Sequence, residues 1–98
     1  MRKKIFNDND TKRILIVDDE PFNVLGLFMM VKQTGYGDAL NFVDRAYNGL
    51  EAIERVEKLF TDSFGSYGLI FMDISMPFLD GYEATDCIRS FYREREIE

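Results

Sequence analysis

Three aspartates follow directly on short apolar runs. Asp18 and Asp19 come after residues 13–17, and Asp73 comes after residues 69–72, the most apolar run in the chain. Short, continuous runs rich in β-branched residues favour strands that are covered on both faces, as in a parallel sheet. Ligands of open parallel sheets bind beyond the carboxyl ends of the strands. If these two strands are neighbours, the three carboxylates converge at one edge of the sheet.

Such a convergence predicts a metal ion. Two unit charges 4 Å apart repel by roughly 1 kcal/mol in water and by more when partly buried, so either one acid is protonated or a cation lies among them. Carboxylate oxygens without His or Cys indicate Mg²⁺. That ion would also neutralise an incoming phosphoryl group, which a carboxylate attacks to form an acyl phosphate. The alternative is that Asp18 or Asp19 caps the next helix or binds amides of the loop.

The composition excludes other kinds of site. The chain has no histidine and one cysteine, Cys87, so it has no imidazole base, no Ser-His-Asp triad, no internal disulfide and no cysteine-based zinc site. The net charge of −6 argues against a nucleic-acid surface, which needs a basic face to neutralise phosphates. Any catalysis is therefore expected to depend on carboxylates and a metal ion.

No segment predicts secretion or membrane insertion. The basic start at residues 1–4 leads into polar residues, and no apolar run approaches the roughly 20 residues that span a bilayer. We expect a cytoplasmic location, alone or as the cytosolic part of a larger kinase, with no direct membrane contact. Residues 1–11 are polar and aperiodic and are expected to form a disordered lead.

Three predicted strands alternate with three predicted helices. The strands are residues 13–17, 42–46 and 69–72, and the helices are residues 22–33, a segment after Asn48-Gly49, and one from about Tyr82. This alternation predicts an α/β fold with an open parallel sheet. The mixed character of residues 42–46 is typical of an edge strand, which would give the strand order 2-1-3.

Apolar residues at helical spacing predict the buried helix faces. In the first helix they are Val24, Phe28 and Val31, with Leu25, Leu27 and Met30 beside them. In the second they are Leu50, Ile53, Val56, Leu59 and Phe60, before a loop from Thr61 to Tyr67. In the third they are Ala84, Ile88 and Phe91, with Cys87 as a small packing residue. Gly35 is expected to end the first helix in the left-handed conformation.

Three segments closely resemble the receiver domain of two-component response regulators and hybrid histidine kinases. They are Ile-Leu-Ile-Val-Asp-Asp-Glu-Pro at 14–21, Asn-Gly-Leu-Glu-Ala at 48–52, and Ile-Phe-Met-Asp-Ile-Ser-Met-Pro-Phe-Leu-Asp-Gly-Tyr-Glu-Ala at 70–84. The last is the most specific, because a buried strand, an Asp, a Met-Pro pair and an Asp-Gly turn occur in register with the family. The resemblance covers residues 12 to about 92.

This resemblance implies roles for particular residues. Asp73 would accept a phosphoryl group from a phosphohistidine on a histidine kinase or histidine phosphotransfer protein. Asp19 would ligate Mg²⁺ directly, Asp18 would help through a water molecule, and the backbone carbonyl of Ser75 would be a further ligand. Gly81 would allow a tight entry into the third helix. Any enzymatic activity would be self-phosphorylation and autodephosphorylation at Asp73, not turnover of external substrates.

The sequence also departs from the family. The flavodoxin-like receiver fold has five βα units, and residues 12–98 resemble only the first three, as a partial receiver domain. No residue after Asp73 matches the family's fourth-strand Ser or Thr or its fifth-strand Lys, and Lys58 is the last lysine. An alternative is therefore a non-catalytic interaction module or an inert truncated receiver. A phosphohydrolase with an Asp nucleophile is disfavoured. Such enzymes usually carry a second Asp, the acid/base, two residues after the nucleophile, and here that position is Ser75.

Overall fold

The described residues fold as a three-stranded sheet with helices on both faces. A computed structural model describes residues 12–35, 39–63, 65–76 and 79–95. The strands are β1 (Ile14–Val17), β2 (Val43–Ala46) and β3 (Leu69–Met72), and the helices are α1 (Pro21–Thr34), α2 (Ala39–Phe42), α3 (Gly49–Ser63) and α4 (Gly81–Glu94). The predicted lead at 1–11 lies outside the described residues.

The sheet is parallel, with the order β2-β1-β3. This confirms the predicted α/β fold class and strand order. In the register, Val17 at the end of β1 lies beside Ala46 of β2 and Met72 of β3. The residues that follow all three strands are therefore delivered to one rim.

The central strand divides its side chains between two apolar layers. Leu15 and Val17 pack into the layer beneath α3 and α4, whereas Ile14 and Ile16 pack into the layer beneath α1. All four are buried, as the period of two in a strand covered on both faces requires. This continuous burial holds β1, and with it the start of the acidic segment, in place.

Helix α1 begins and ends as its sequence predicts. Pro21 occupies the first turn, where its missing N–H costs nothing. Gly35 ends the helix with φ 74° and donates its N–H to the carbonyl of Lys32, which confirms the predicted left-handed stop. The buried residues are Val24, Phe28 and Val31, as predicted.

The predicted apolar face of α1 is too wide, because two of the residues expected at its margin are exposed. Leu25 is 51% exposed and Met30 is 63% exposed, although Leu27 does pack against the layer. At 3.6 residues per turn, Leu25 and Met30 lie about 100° and 240° around the helix from Val24. They are therefore turned away from the sheet, and α1 buries only the narrow stripe that faces β1.

The buried face of helix α3 differs from its prediction in the first turn. Val56 is buried and Ile53 and Leu59 are partly buried, but Leu50 is 54% exposed. Gly49 and Ala52 are buried in its place, because the first turn lies directly against neighbouring residues: a Cβ added at Gly49 would meet the carbonyl of Leu79 and the Cβ of Ala84.

Four further predictions need correction. Helix α3 continues to Ser63, so residues 61–63 are helical and not loop. Phe42, predicted as the first residue of the second strand, is instead the last residue of short α2. Cys87 is exposed and does not pack in the core. In β3, predicted as a buried strand, Leu69 is 49% exposed, because β3 is the last strand of the described sheet.

Candidate functional site

The strand ends position the three predicted aspartates. The backbone N–H of Asp18 donates to the carbonyl of Ala46 at 3.2 Å, and that of Asp73 donates to the carbonyl of Val17 at 2.9 Å. These bonds extend the sheet by one residue beyond each strand. Asp18 and Asp73 therefore leave the sheet at fixed points on the same rim.

One carboxylate oxygen from each of Asp18, Asp19 and Asp73 lies within 4.8 Å of the others. Asp18 and Asp73 are half-buried and Asp19 is exposed. The structure thus brings together all three acids that the sequence placed at this edge. Oxygen donors grouped in this way suit a small hard cation such as Mg²⁺, which binds one or two carboxylates directly and keeps several waters, through which a further carboxylate can act.

The electrostatics of this acidic cluster favour a cation. Partial desolvation at the rim, followed by repulsion from Asp73 and Asp18, raises the pKa of Asp19 above its ordinary value. A divalent ion among the three oxygens would remove that repulsion and favour the ionised form.

Local hydrogen bonds orient two of the carboxylates. The Oδ1 of Asp18 accepts from the N–H of Glu20 at 3.0 Å, and the Oδ1 of Asp73 accepts from the N–H of Ser75 at 3.4 Å. Each bond turns the chain two residues after the Asp, as short polar side chains do in loops. Ser75 is exposed and adjoins the site, and the role of its carbonyl as a ligand stays a prediction.

Helix capping is not the role of Asp18 or Asp19. The N-cap of α1 is Glu20, whose Oε1 accepts from the N–H of Phe22 at 3.3 Å. The sequence reasoning missed this residue, although a polar residue directly before Pro21 was a usable signal. With the cap supplied by Glu20, the capping alternative loses its support, whereas Asp18 does accept a hydrogen bond from a loop amide, the N–H of Glu20.

The start of α4 lies against the backbone of the site. Gly81 donates its N–H to the carbonyl of Ile74 at 2.9 Å. A Cβ added at Gly81 would collide with the carbonyl oxygen of Asp73 and would lie 2.8 Å from the Cα of Ile74. Only glycine permits this approach, which agrees with the tight entry that the resemblance implied. Asp80 caps α4, its Oδ1 accepting from the N–H of Glu83 at 2.9 Å.

A second polar cluster, not found from the sequence, lies at the opposite end of the strands. Arg13 donates from Nε and Nη2 to the two carboxylate oxygens of Asp44 at 2.8 and 2.6 Å, and from Nη1 to the carbonyl of Asn41 at 2.6 Å. The hydroxyl of Tyr67 donates to Asp44 at 2.6 Å, and the N–H of Tyr67 donates to the hydroxyl of Tyr92 at 3.2 Å. This cluster ties together β1, β2 and α4.

The charges of the second cluster stabilise one another. Partial burial alone would raise the pKa of Asp44, but hydrogen bonds from Arg13 and Tyr67 outweigh it and lower that pKa. Burial, and then the hydrogen bond to Asp44, raises the pKa of Tyr67 well above its ordinary range. The cluster is therefore a salt-bridged clamp between strands and not a group poised for proton transfer.

The fold and the acidic rim define a class: open α/β sheets with a carboxylate metal site at the strand ends. A family model described as response regulator receiver domain matches residues 14–97. The chain therefore belongs to the response regulator receiver domain family, the receiver domains of two-component phosphorelay systems.

Known relatives are considerably longer than this chain. It is 40% identical over 87 residues to hybrid signal transduction histidine kinase B of Dictyostelium discoideum, and the aligned region covers 89% of this chain and 4% of that protein. It is 42% identical over 77 residues to the two-component response regulator ORR41 of Oryza sativa subsp. japonica, covering 79% of this chain and 55% of that protein. The chain thus spans less than two thirds of these relatives.

Solved structures agree with the family assignment. A mutant of the receiver domain of the histidine kinase CKI1 from Arabidopsis thaliana has a TM-score of 0.79 and 29% identity, covering 89% of this chain and 60% of that one. The same receiver domain complexed with Mg²⁺ has a TM-score of 0.73 and 30% identity, covering 89% and 62%. Among the helices of the described residues, none is both long and apolar enough to span a bilayer.

Proposed function

We propose that Asp73 is the phosphoryl acceptor and that Mg²⁺ is held by the carboxylates of Asp19 and Asp73 and the carbonyl of Ser75, with Asp18 acting through a water molecule. The observation that carries this proposal is the convergence of the three carboxylates within 4.8 Å at the strand ends. Oxygen donors alone, on a rim that raises the pKa of Asp19, suit a hard divalent cation.

The proposed reaction is a phosphoryl transfer to a carboxylate. A carboxylate oxygen of Asp73 attacks the phosphorus of a phosphohistidine, the P–N bond breaks, and its electron pair returns to the imidazole nitrogen. When bound, the metal ion neutralises charge on the transferred oxygens. The protein's part is positioning: β1 and β3 hold Asp18 and Asp73, and Ser75 N–H turns the Asp73 side chain.

The comparisons support the cofactor and the partner. The Arabidopsis receiver domain has been solved in complex with Mg²⁺ and also with Mg²⁺ and BeF₃⁻, and two of the relatives are hybrid histidine kinases. We infer that the donor is a histidine kinase or a histidine phosphotransfer protein. The chain's acidic balance, with a net charge of −6, does not favour a nucleic-acid partner.

Phosphorylation by a small donor tests the proposal. The folded chain is incubated with acetyl phosphate, with and without Mg²⁺, and its intact mass is measured. One phosphoryl group is expected with Mg²⁺ and none in Asp73→Asn. Asp80→Asn is the matched control, because Asn also caps helices and Asp80 lies outside the acidic cluster. A phosphoryl group on Asp73→Asn would refute the assignment of the acceptor.

A non-catalytic interaction module is the second candidate. It is favoured by one observation: residues 59–98 contain no lysine, so no ammonium group from this stretch can balance the phosphoryl charge. Losing one such interaction in a water-poor site costs roughly 10²–10³ in rate. A folded chain that binds Mg²⁺ but gains no phosphoryl group would support this second function.

A further inference from the structure

The segment Asn48-Gly49-Leu50-Glu51-Ala52 is distinctive in the sequence but is not part of the acidic cluster. It begins α3, which follows β2 at the same rim as Asp73. Gly49 is buried at the first position of that helix, although glycine is a poor helix former. Its backbone conformation does not call for glycine, because among the described glycines only Gly35 has a left-handed φ. The requirement for glycine is therefore one of space.

Gly49 lies against the residues that start α4. An added Cβ would collide with the backbone carbonyl of Leu79, and it would lie 3.1 Å from the Cβ of Leu79 and 3.2 Å from that of Ala84. The nearest of these atoms belongs to the backbone, which cannot rotate away as the end of a side chain can. Glycine thus lets the first turns of α3 and α4 come this close.

The residues that Gly49 touches also contact the acidic site. Two residues after Leu79, Gly81 begins α4. The N–H of Gly81 donates to the carbonyl of Ile74 at 2.9 Å, and Gly81 lies directly against the carbonyl of Asp73. Leu79 to Gly81, which we call the α4 entry, is therefore held between the first turn of α3 and the backbone of Asp73.

We propose that Gly49 is a positioning residue for the acidic site: through Leu79 it holds the α4 entry against the backbone of Asp73. Gly49 has no side chain that could ligate an ion, so it acts only through this contact. Groups behind metal ligands matter because they fix the orientation of the ligands, and Mg²⁺ demands near-octahedral geometry. The consequence for Mg²⁺ rests on the proposed function, whereas the contact of Gly49 with the α4 entry does not.

Hydrogen bonds hold the first turn of α3 in place. The Oδ1 of Asn48 accepts from the N–H of Glu51 at 2.8 Å, and the Oε1 of Glu51 accepts from the N–H of Tyr47 at 2.9 Å. This reciprocal arrangement is of the capping-box kind and satisfies an N–H group that a helix leaves unpaired at its start. Because Gly49 lies between the two bonded residues, the cap also fixes the surface that meets the α4 entry.

Amide hydrogen exchange, followed by NMR on the whole chain, tests the contact without a metal ion. Gly49→Ala should speed exchange of the Gly81 N–H at least about tenfold, because displacement of the α4 entry breaks the hydrogen bond that protects it. The reference is the Gly68 N–H, which donates to the carbonyl of Arg13 at 2.9 Å at the opposite end of the strands. The matched control is Val56→Ala, which weakens the buried face of α3 two turns further along and should change both rates by the same factor.

Two variants of the cap test the same contact without crowding it. Asn48→Ala should speed exchange of the Gly81 N–H about fivefold, and Asn48→Ser, which keeps a capping oxygen, should restore the parent rate. A cap that stabilised only its own helix would affect the Ala52 N–H, which donates to the carbonyl of Asn48 at 3.1 Å, and would leave Gly81 unchanged. This pair of variants still decides the matter if Gly49→Ala fails to fold.

Calorimetric Mg²⁺ titration of the folded variants measures the consequence for the acidic site. Gly49→Ala should raise the Mg²⁺ dissociation constant about tenfold, since removing support behind metal ligands commonly costs that factor. Val56→Ala should leave the dissociation constant unchanged. If the parent binds no Mg²⁺, the proposed metal site is wrong, and hydrogen exchange still decides whether Gly49 positions the α4 entry.

Two results would overturn the proposal. One is an exchange rate at Gly81 that neither Gly49→Ala nor Asn48→Ala changes, or that rises only as much as the rate at Gly68. The other is a parent that binds Mg²⁺ and a folded Gly49→Ala that binds it equally well. Circular dichroism of each variant verifies that it is folded.

Discussion

Replacing Gly81 by alanine is expected to damage both the fold and the acidic site. Gly81 is buried in the first turn of α4, and the atoms that a new Cβ would meet are the backbone carbonyl of Asp73 and the Cα of Ile74. Backbone atoms cannot rotate away as a side chain can. Either α4 moves away from the loop or residues 73–74 shift, and both movements disturb the strand end that carries Asp73.

The size of the effect follows from the contacts. Overpacking of this kind costs about 1–3 kcal/mol, and losing the bond from Gly81 N–H to the carbonyl of Ile74 costs about 1 kcal/mol more. The intrinsic helix preference of alanine over glycine returns less than about 1 kcal/mol in a first turn. We therefore expect Gly81→Ala to reduce the free energy of unfolding by about 2 kcal/mol.

Urea unfolding and calorimetric Mg²⁺ titration measure the two consequences. The matched control is Gly26→Ala, because a Cβ at Gly26 meets nothing within 4 Å and should raise stability by about 0.5–1 kcal/mol. Displacement of Asp73 should also raise the Mg²⁺ dissociation constant of Gly81→Ala at least about tenfold. If Gly81→Ala is as stable as the parent and binds Mg²⁺ equally well, the close approach of α4 to Asp73 has no energetic role.

Three further outcomes are expected. Saturating Mg²⁺ at neutral pH should stabilise the chain by about 2.7 kcal/mol at 100 times its dissociation constant, as measured by thermal unfolding, and Asp19→Asn should reduce that gain. The pKa of Asp44 is lower in the folded chain than the ordinary Asp value of 3.8, so the ionised Asp44 stabilises the fold at pH values above 3.8. This stabilisation is lost as the pH falls through the folded pKa. Urea unfolding should therefore show that, between pH 7 and 3, the free energy of unfolding falls less for Asp44→Asn than for the parent. An equal fall would contradict the stabilising role of the clamp. Leu15→Ala should cost about 2–5 kcal/mol because Leu15 is fully buried, whereas Leu50→Ala should cost less than about 0.5 kcal/mol.

Much of the architecture was predictable because it depends on residues close together in the chain. Continuous apolar runs identify β1 and β3, and a Pro before and a Gly after the helical stretch identify the ends of α1. The period of three to four residues found Val24, Phe28 and Val31. These signals are local, so no knowledge of neighbouring elements was needed to interpret them.

The errors occur where burial depends on a neighbouring element. Leu25, Met30 and Leu50 have the spacing of a buried face but are exposed, because each helix faces the sheet along one stripe only. Gly49 is buried in place of Leu50 since α3 begins directly against Leu79. An apolar pattern states which faces can be buried, and the position of the next element decides how wide the buried stripe becomes.

The acidic cluster could mostly be predicted from local sequence signals, whereas the clamp depends entirely on how distant elements pack together. Each Asp of the cluster ends a recognisable apolar strand, so the general rule for parallel sheets was enough to group them. Arg13, Asp44 and Tyr67 carry no such mark: their partners are 31 and 23 residues apart in the chain. Only the packing of β1 beside β2, with the segment before β3 folded across them, turns three ordinary polar residues into one salt-bridged unit.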